Sequence, residues 1–289
     1  MDLNNLQSDP IVVVGGGFGG LSTIQALLAR SEGIPIILID QSPRFVFKPL
    51  LYELLSSELE IWEVAPKYSS LSAELGFIFL HDFVVEIDVF ENKVFTASQI
   101  EVKYSQLVIS SGLTTDFSLV EGLRKYAYGF SNLNDLLKIK DLINSINNSP
   151  NQINPLVIAG AGPTGVELAC KLSDLVDNKV EICLIDKSNK ILSKSKSFNR
   201  EKAIDAIAKR NIKLYLEKNV QSINEEFIQL SSVDVERNNS LKVKYSTLIW
   251  TAGLKPSRVS LPESILHENN RIKVNQFLQV DEYKNIFFI

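Results

Sequence analysis

Five glycines fall within six positions, Gly15, Gly16, Gly17, Gly19 and Gly20, immediately after the apolar run Ile11 to Val14. From Pro10 to Ala29 the chain carries no charge, a length close to that of a membrane-spanning helix. The glycines argue against that reading, because each costs a helix interior about 1 kcal/mol relative to alanine. A buried strand, a tight turn and then a helix from Leu21 to Arg30 fit better, with Leu21, Ile24, Ala26, Leu27 and Leu28 as its apolar side. This strand, glycine turn and helix severely limit the folds open to the chain.

The same pattern returns. Leu156 to Ala159 is a second short apolar strand, followed by Gly160, Gly162 and Gly165 in GxGxxG spacing and a helix predicted over Val166 to Val176. In each copy the next apolar strand ends in an acid, Ile36 to Asp40 in the first and Val180 to Asp186 in the second. A third pair matches Tyr104 to Leu113, with Ser110, Ser111 and Gly112, against Tyr245 to Leu254, with Thr251, Ala252 and Gly253. Three features in one order, at nearly one offset, indicate two similar domains.

The strand, glycine loop, helix and trailing acid make up the dinucleotide-binding motif. Gly15 and Gly160 permit the sharp turn, Gly17 and Gly162 admit a pyrophosphate, and Gly20 and Gly165 let helix and strand approach. The unpaired N–H groups of the helix start favour phosphate. Asp40 and Asp186 stand where a carboxylate accepts from ribose hydroxyls, or else simply end their strands. Between these corners each copy holds short alternating strands. They fall at Phe83–Asp88, Lys93–Thr96 and Glu101–Lys103 in the first, with a turn at Glu91-Asn92. In the second they fall at Val220–Asn224, Phe227–Leu230 and Leu241–Lys244, with a turn at Asn238-Asn239-Ser240. The helix Asn199–Arg210 reads as an amphipathic core helix with Ala203, Ile204, Ile207 and Ala208 on one face. The expected fold class is therefore α/β: two Rossmann-like dinucleotide-binding domains, each a parallel sheet with an antiparallel β-meander crossover. One spans residues 1–125 and 254–289, the other 126–253.

Composition narrows the function. With 30 Lys and Arg against 34 Asp and Glu, the net charge of −4 disfavours nucleic acid as a partner. The first ten residues have no Lys or Arg and so lack the basic start of a secretory signal. Two histidines, His81 and His267, are too few for a zinc site or a His-dependent hydrolase, and no metal is expected. The two cysteines, Cys170 and Cys183, match neither a CxxC redox pair nor a metal knuckle; packing in a reducing, cytoplasmic compartment suits them. Two tandem nucleotide sites suggest two cofactors that meet, a flavin in one domain accepting hydride from a nicotinamide in the other.

The segments Val46-Phe47-Lys48-Pro49-Leu50-Leu51-Tyr52-Glu53-Leu54-Leu55, Trp62-Glu63-Val64-Ala65-Pro66, Gly160 to Ala169 and Trp250-Thr251-Ala252-Gly253 resemble type II NAD(P)H:quinone oxidoreductases. The Phe-Lys-Pro and Trp-Glu pieces are most similar to the cyanobacterial and plastid branch that reduces demethylphylloquinone. The resemblance implies FAD in the first domain, with Gly15, Gly17, Gly19 and Gly20 at its pyrophosphate, Asp40 and Gln41 at its ribose, and the Val84 backbone at its adenine. Ser110, Ser111 and Gly112 would line the flavin. It implies NADH or NADPH in the second domain, held by Gly160, Gly162, Pro163, Thr164, Gly165 and Asp186, with Thr251, Ala252 and Gly253 alongside. Glu167 matches the family glutamate beside the nicotinamide, although a first-turn acid is also favoured by the helix dipole. Pro49, Leu50 and Leu51 would wall the flavin and quinone, or pack the core. The implied partner is a membrane-borne quinone, with the protein cytoplasmic and peripheral to the membrane's cytoplasmic face if its parent carries a C-terminal anchor; a homodimer is compatible with this.

Disulfide reductases and sulfide:quinone reductases are similar in layout but need reactive cysteines. Asp186 favours NADH over NADPH, whereas Lys187 is placed to accept a 2′-phosphate. In the family, the strand at Glu282–Ile289 runs into a Gly-Asp pair that contacts the flavin ribityl chain, followed by a helix and an amphipathic anchor. The sequence ends at Ile289, before that pair. Two alternatives are therefore kept beside the quinone reductase: a truncated, catalytically weak nucleotide-binding protein, and a soluble flavin reductase with a non-quinone acceptor.

Overall fold

The computed structural model describes residues 6, 8–30, 33–148, 154–177, 179–234, 240–257, 259, 261 and 272–289. His267 and the Asn238-Asn239 turn lie outside them. In chain order the first elements are β1 (Ile11–Val14), α1 (Phe18–Leu28), β2 (Ile36–Asp40), α2 (Leu51–Leu55), α3 (Ile61–Val64), α4 (Tyr68–Leu75) and β3 (Ile78–His81). They are followed by β4 (Val84–Asp88), β5 (Lys93–Thr96), β6 (Glu101–Lys103), β7 (Gln106–Ile109) and β8 (Leu113–Thr115). Next come α5 (Leu123–Tyr126), β9 (Ala127–Gly129), α6 (Leu133–Asn148), β10 (Leu156–Ala159), α7 (Pro163–Val176), β11 (Ile182–Ile185) and α8 (Ser197–Lys209). The chain closes with β12 (Lys213–Tyr215), β13 (Lys218–Ile223), β14 (Phe227–Ser232), β15 (Leu241–Lys244), β16 (Thr247–Trp250), β17 (Leu254–Pro256), β18 (Gln279–Val280) and β19 (Tyr283–Phe288).

The chain divides into two compact units, Met1–Phe47 with Ile61–Thr114 and Pro256–Ile289, and Lys48–Glu60 with Thr115–Lys255. In the first, the sheet order is β18-β19-β7-β1-β2-β3. Strand β1 pairs in parallel with β2 and β7, and β19 pairs in parallel with β7. The second unit has the order β12-β11-β10-β16-β9, and every pairing is parallel. A three-stranded antiparallel meander belongs to each: β4-β5-β6 in the first, β13-β14-β15 in the second. Strands β8 and β17 form a small sheet of their own.

The uninterrupted apolar runs of the sequence follow from this layering, since a parallel strand is covered on both faces. In β1 the period-two alternation sends Val12 and Val14, with Ile37 and Ile39 of β2, against the meander residues Val84, Ile87, Val94 and Val102. Ile11 and Val13, with Ile36 and Leu38, face Ile24 of α1 and Tyr68 of α4. In the second unit Val157, Ala159, Cys183 and Ile185 pack on Ile223, Ile228, Leu230 and Val243 of its meander. The segment 48–60 groups with this unit, where Leu51, Leu54 and Leu55 of α2 are buried and α2 lies against α6.

Three readings of the sequence are corrected. Helices α1 and α7 begin at Phe18 and Pro163, ahead of the predicted Leu21 and Val166. Glycine is cheap in a first turn, where it packs against the preceding strand, and Pro163 already has the φ that a first helical residue needs. Glu167 is consequently the fifth residue of α7 rather than a first-turn acid. Finally, α8 buries only Ile207, and Ile204 is 48% exposed. That helix lies against α7, and Ile207 is the one residue it buries.

Candidate functional site

Each unit contains one glycine loop, and the two loops are built in the same way. In the first, Gly15 turns the chain at φ +96°, and its N–H donates to the Ile39 carbonyl at 2.9 Å. A side chain there would strike the Ser110 backbone, and one on Gly20 would strike the Gly15 carbonyl. In the second, Gly160 turns at φ +111° and donates to Ile185 at 2.8 Å, while Gly165 lies against the Gly160 carbonyl. These close approaches require glycine for reasons of space.

Gly17 and Gly162 are different. They are the N-caps of α1 and α7, with ordinary extended backbone angles of −63°, −166° and −74°, −176°. Neither helix start is capped by a side chain, and a Cβ on either glycine would meet nothing within 4 Å. Among the described residues no side chain caps the first N–H groups of either helix, and the space beside both N-cap glycines is open, as a pyrophosphate cradle requires. A dinucleotide fits the residues present.

The two aspartates close each loop. Asp40 Oδ2 accepts from the Gly16 N–H at 2.6 Å and Oδ1 from the Ser42 N–H at 2.7 Å. Asp186 repeats this, Oδ2 accepting from Ala161 N–H at 2.6 Å and Oδ1 from Ser188 N–H at 2.7 Å. An ionised carboxylate has about four acceptor sites, so each keeps capacity for ribose hydroxyls while fixing its own loop. The sequence suggests only the ribose role; the loop-fixing role comes from these hydrogen bonds. The third repeated segment is also duplicated: Ser110 N–H donates to Val14 and Thr251 N–H to Ala159, followed by Gly112 and Gly253 at φ +66° and +63°. The Thr251 hydroxyl additionally reaches the carbonyls of Ala159 and Gly160 at 3.0 and 3.2 Å.

In the first unit a cleft of about 380 Å³, its open mouth included, lies beside the loop. It brings together Gly15, Asp40, Gln41, Val84 and Ser111 from the expected set, and adds Asp82, Phe83, Ser257 and Val259. Ser111 is oriented by its hydroxyl, which donates to the Ser257 carbonyl at 3.2 Å. Ser110 is buried behind it. One contributor had no motif to reveal it. The Tyr68 hydroxyl, buried under the loop, donates to the Gly16 carbonyl at 2.7 Å. Burial, and then the Asp40 charge, push its ionisation far up, so it stays a donor.

In the second unit Pro163 and Thr164 open α7 and are exposed, Ala252 is half-buried, and Glu167 projects from an exposed position one turn further on. Pro49 is exposed, Leu50 half-buried and Leu51 completely buried. Cys170 and Cys183 are both free. Burial raises the Cys170 thiol, and burial with the nearby Glu181 pushes Cys183 up to about 12, which leaves neither a ready nucleophile. His81 is occupied structurally, its Nε2 3.0 Å from the Gln41 carbonyl. Among the described residues there is no group of three metal-ligating side chains, and no helix is long and apolar enough to cross a membrane.

The family description "pyridine nucleotide-disulphide oxidoreductase" matches residues 9–289. The demethylphylloquinone reductase of Synechocystis sp. is 33% identical over 286 residues, covering 96% of this chain and 70% of that protein. An alternative NAD(P)H-ubiquinone oxidoreductase of Arabidopsis thaliana, chloroplastic/mitochondrial, is 30% identical over 311 residues, covering 96% of this chain and 60% of that protein. The structure of NDH2 from Plasmodium falciparum in complex with NADH has a TM-score of 0.85 at 21% identity, covering 98% of this chain and 64% of that one. The last likeness speaks to the fold. The chain spans between 60% and 70% of the length of these proteins.

Proposed function

The chain belongs to the pyridine nucleotide-disulphide oxidoreductase family, and from that premise we propose that it is an FAD-dependent NAD(P)H:quinone oxidoreductase of the type II NADH dehydrogenase class. The observation that carries this reading is the duplicated uncapped helix start, each with an open glycine and a loop-bound aspartate. The first loop and its cleft would hold FAD, and the second NADH or NADPH. Bound FAD supplies a two-electron acceptor that takes hydride from the nicotinamide and passes electrons to a quinone. The chain's own residues bind and orient. Loop N–H groups and the helix ends hold pyrophosphate at Gly15–Gly20 and Gly160–Gly165, and Asp40 and Asp186 accept from ribose hydroxyls. Gln41, Val84, Ser110, Ser111 and Gly112 line the FAD side, and Thr251 to Gly253 the nicotinamide side. Glu167 stands beside the nicotinamide.

Demethylphylloquinone and ubiquinone, named for the two relatives, set the acceptor class as a quinone. Such a substrate is membrane-borne, which supports a peripheral position at a membrane surface. Between the two nicotinamides NADH is preferred, because Asp186 repels a 2′-phosphate more directly than the exposed Lys187 attracts it. The test is reconstitution with FAD, followed by anaerobic addition of NADH and then of a short-chain quinone. Flavin absorbance that bleaches with NADH and returns with quinone is expected. A chain that retains no flavin, or a reduced flavin that a quinone leaves unchanged, would refute the proposal.

A further inference from the structure

The tyrosine that follows the proposed wall residues reaches the start of α7. Tyr52 lies on α2, and its ring packs against Phe130 with centroids 5.1 Å apart. Its hydroxyl is 3.4 Å from the carbonyl of Thr164, in the first turn of α7. The carboxylate of Glu167, one turn along, stands beside the same hydroxyl and competes with the Thr164 carbonyl for its single proton. All of these residues belong to one compact unit.

We propose that Tyr52 is the positioning residue for Glu167, holding its carboxylate over the start of α7 so that it presents a fixed acceptor to the nicotinamide end of the dinucleotide. This rests on the reading of Glu167 as the carboxylate beside the nicotinamide. Glu167 is exposed, and a free glutamate of that kind samples many rotamers that binding must then restrict. Tyr52 removes much of that freedom in advance. Its ring is fixed by Phe130, so the hydroxyl has a defined place from which to donate.

The direction of donation is also determined. Burial and the charges of Glu167 and Glu53 hold the phenol far above its usual ionisation range, so it stays protonated at any working pH. Glu53, its chain neighbour, has Oε2 buried with no hydrogen-bond partner. With the Glu53 charge nearby, any charged replacement for Tyr52 would have to be positive.

Titration calorimetry with NAD+ on the FAD-reconstituted chain tests this with Tyr52→Phe, Tyr52→Ala, Glu167→Ala and the double variant Tyr52→Phe/Glu167→Ala. Tyr52→Phe is expected to weaken NAD+ binding about tenfold, the effect of one charge-assisted hydrogen bond, and to add nothing in the Glu167→Ala background. It keeps the ring on Phe130, so its melting temperature stays near wild type while that of Tyr52→Ala falls. Wild-type affinity in Tyr52→Phe, or losses that multiply in the double variant, would overturn the inference alone. So would a fall in melting temperature equal to that of Tyr52→Ala, which would assign the residue to packing. Failure of the wild-type chain to bind NAD+ would instead overturn the reading of the second loop, and this inference with it. A readout independent of nicotinamide is the ring Cζ resonance of isotope-labelled tyrosine, identified by its absence in Tyr52→Phe. It should move in Glu167→Ala, and a fixed resonance would refute the contact itself.

Discussion

Alanine at Gly162 and at Gly165 should separate binding from folding within a single loop. Gly162 is the N-cap of α7 in an extended conformation open to any residue, and its Cβ would meet nothing within 4 Å. Alanine loses up to about 1 kcal/mol there as a poorer N-cap and regains about 0.4–1 kcal/mol by restricting the unfolded chain. Stability should thus stay within about 0.5 kcal/mol of wild type. The new methyl does stand where a pyrophosphate must approach. Losing one or two N–H bonds to a charged group, each worth about 1.5–3 kcal/mol, weakens NADH binding by roughly ten- to more than a hundredfold. FAD content should not change, since Gly162 is outside the unit that carries the first loop. At Gly165 the methyl would collide with the Gly160 carbonyl and lie 2.9 Å from Thr251 Oγ1. Overpacking of that kind costs about 1–3 kcal/mol. Differential scanning calorimetry and NAD+ titration on both variants decide the matter. A Gly162→Ala protein that binds NAD+ normally, or that melts as low as Gly165→Ala, would refute the assignment of open and closed glycines.

Tyr68→Phe removes the donor to the buried Gly16 carbonyl, so it should lower stability by about 1–3 kcal/mol and speed FAD loss in a flavin-retention assay; unchanged retention would contradict a loop-supporting role. Comparative kcat/KM should favour NADH over NADPH, and Lys187→Ala should widen the gap; a strong NADPH preference would show that Asp186 does not face the ribose. The Asp116 carboxyl is held down at about 2 by its hydrogen bond to Lys255, 2.7 Å away, and by Ser118. Its folded value lies below its unfolded one of about 3.9, so its contribution is complete above that value and fades as pH falls toward 2. Asp116→Asn should therefore be less stable than wild type at neutral pH and converge with it in acid denaturation series. A gap that stays constant down to pH 2 would refute the pairing.

Much of this was legible because parallel strands and glycine turns write themselves into sequence at short range. Ile11–Val14, Ile36–Asp40 and Leu156–Ala159 form as read, since a strand covered on both faces must be wholly apolar. The helix starts were read three residues late, because glycine and proline are helix breakers inside a helix but not at its first turn. Helix α8 shows the opposite failure: a helix forms there, but of the expected core face only Ile207 is buried, because apolar spacing does not say how much partner surface a helix will meet. Tyr68 and Tyr52 carry no motif at all. Each reaches its target by a contact distant in sequence, 52 residues for Tyr68 to Gly16 and 112 for Tyr52 to Thr164, which only the packing of α4 and α2 brings about.

The two-handed use of Asp186 has a consequence for how this protein can change. In dinucleotide-binding domains the acid after the second strand contacts the ribose, and a nearby positive side chain admits a 2′-phosphate. Here the same side chain holds the Ala161 and Ser188 N–H groups that shape the loop. Exchanging it would remove both loop acceptors together with the carboxylate that the proposed binding mode offers to a ribose. A change toward NADPH that keeps this acid would draw on positive charge around it, beginning with Lys187 and Lys190 on the exposed turn that follows. Asp40, fastened identically in the first unit, is under the same restriction.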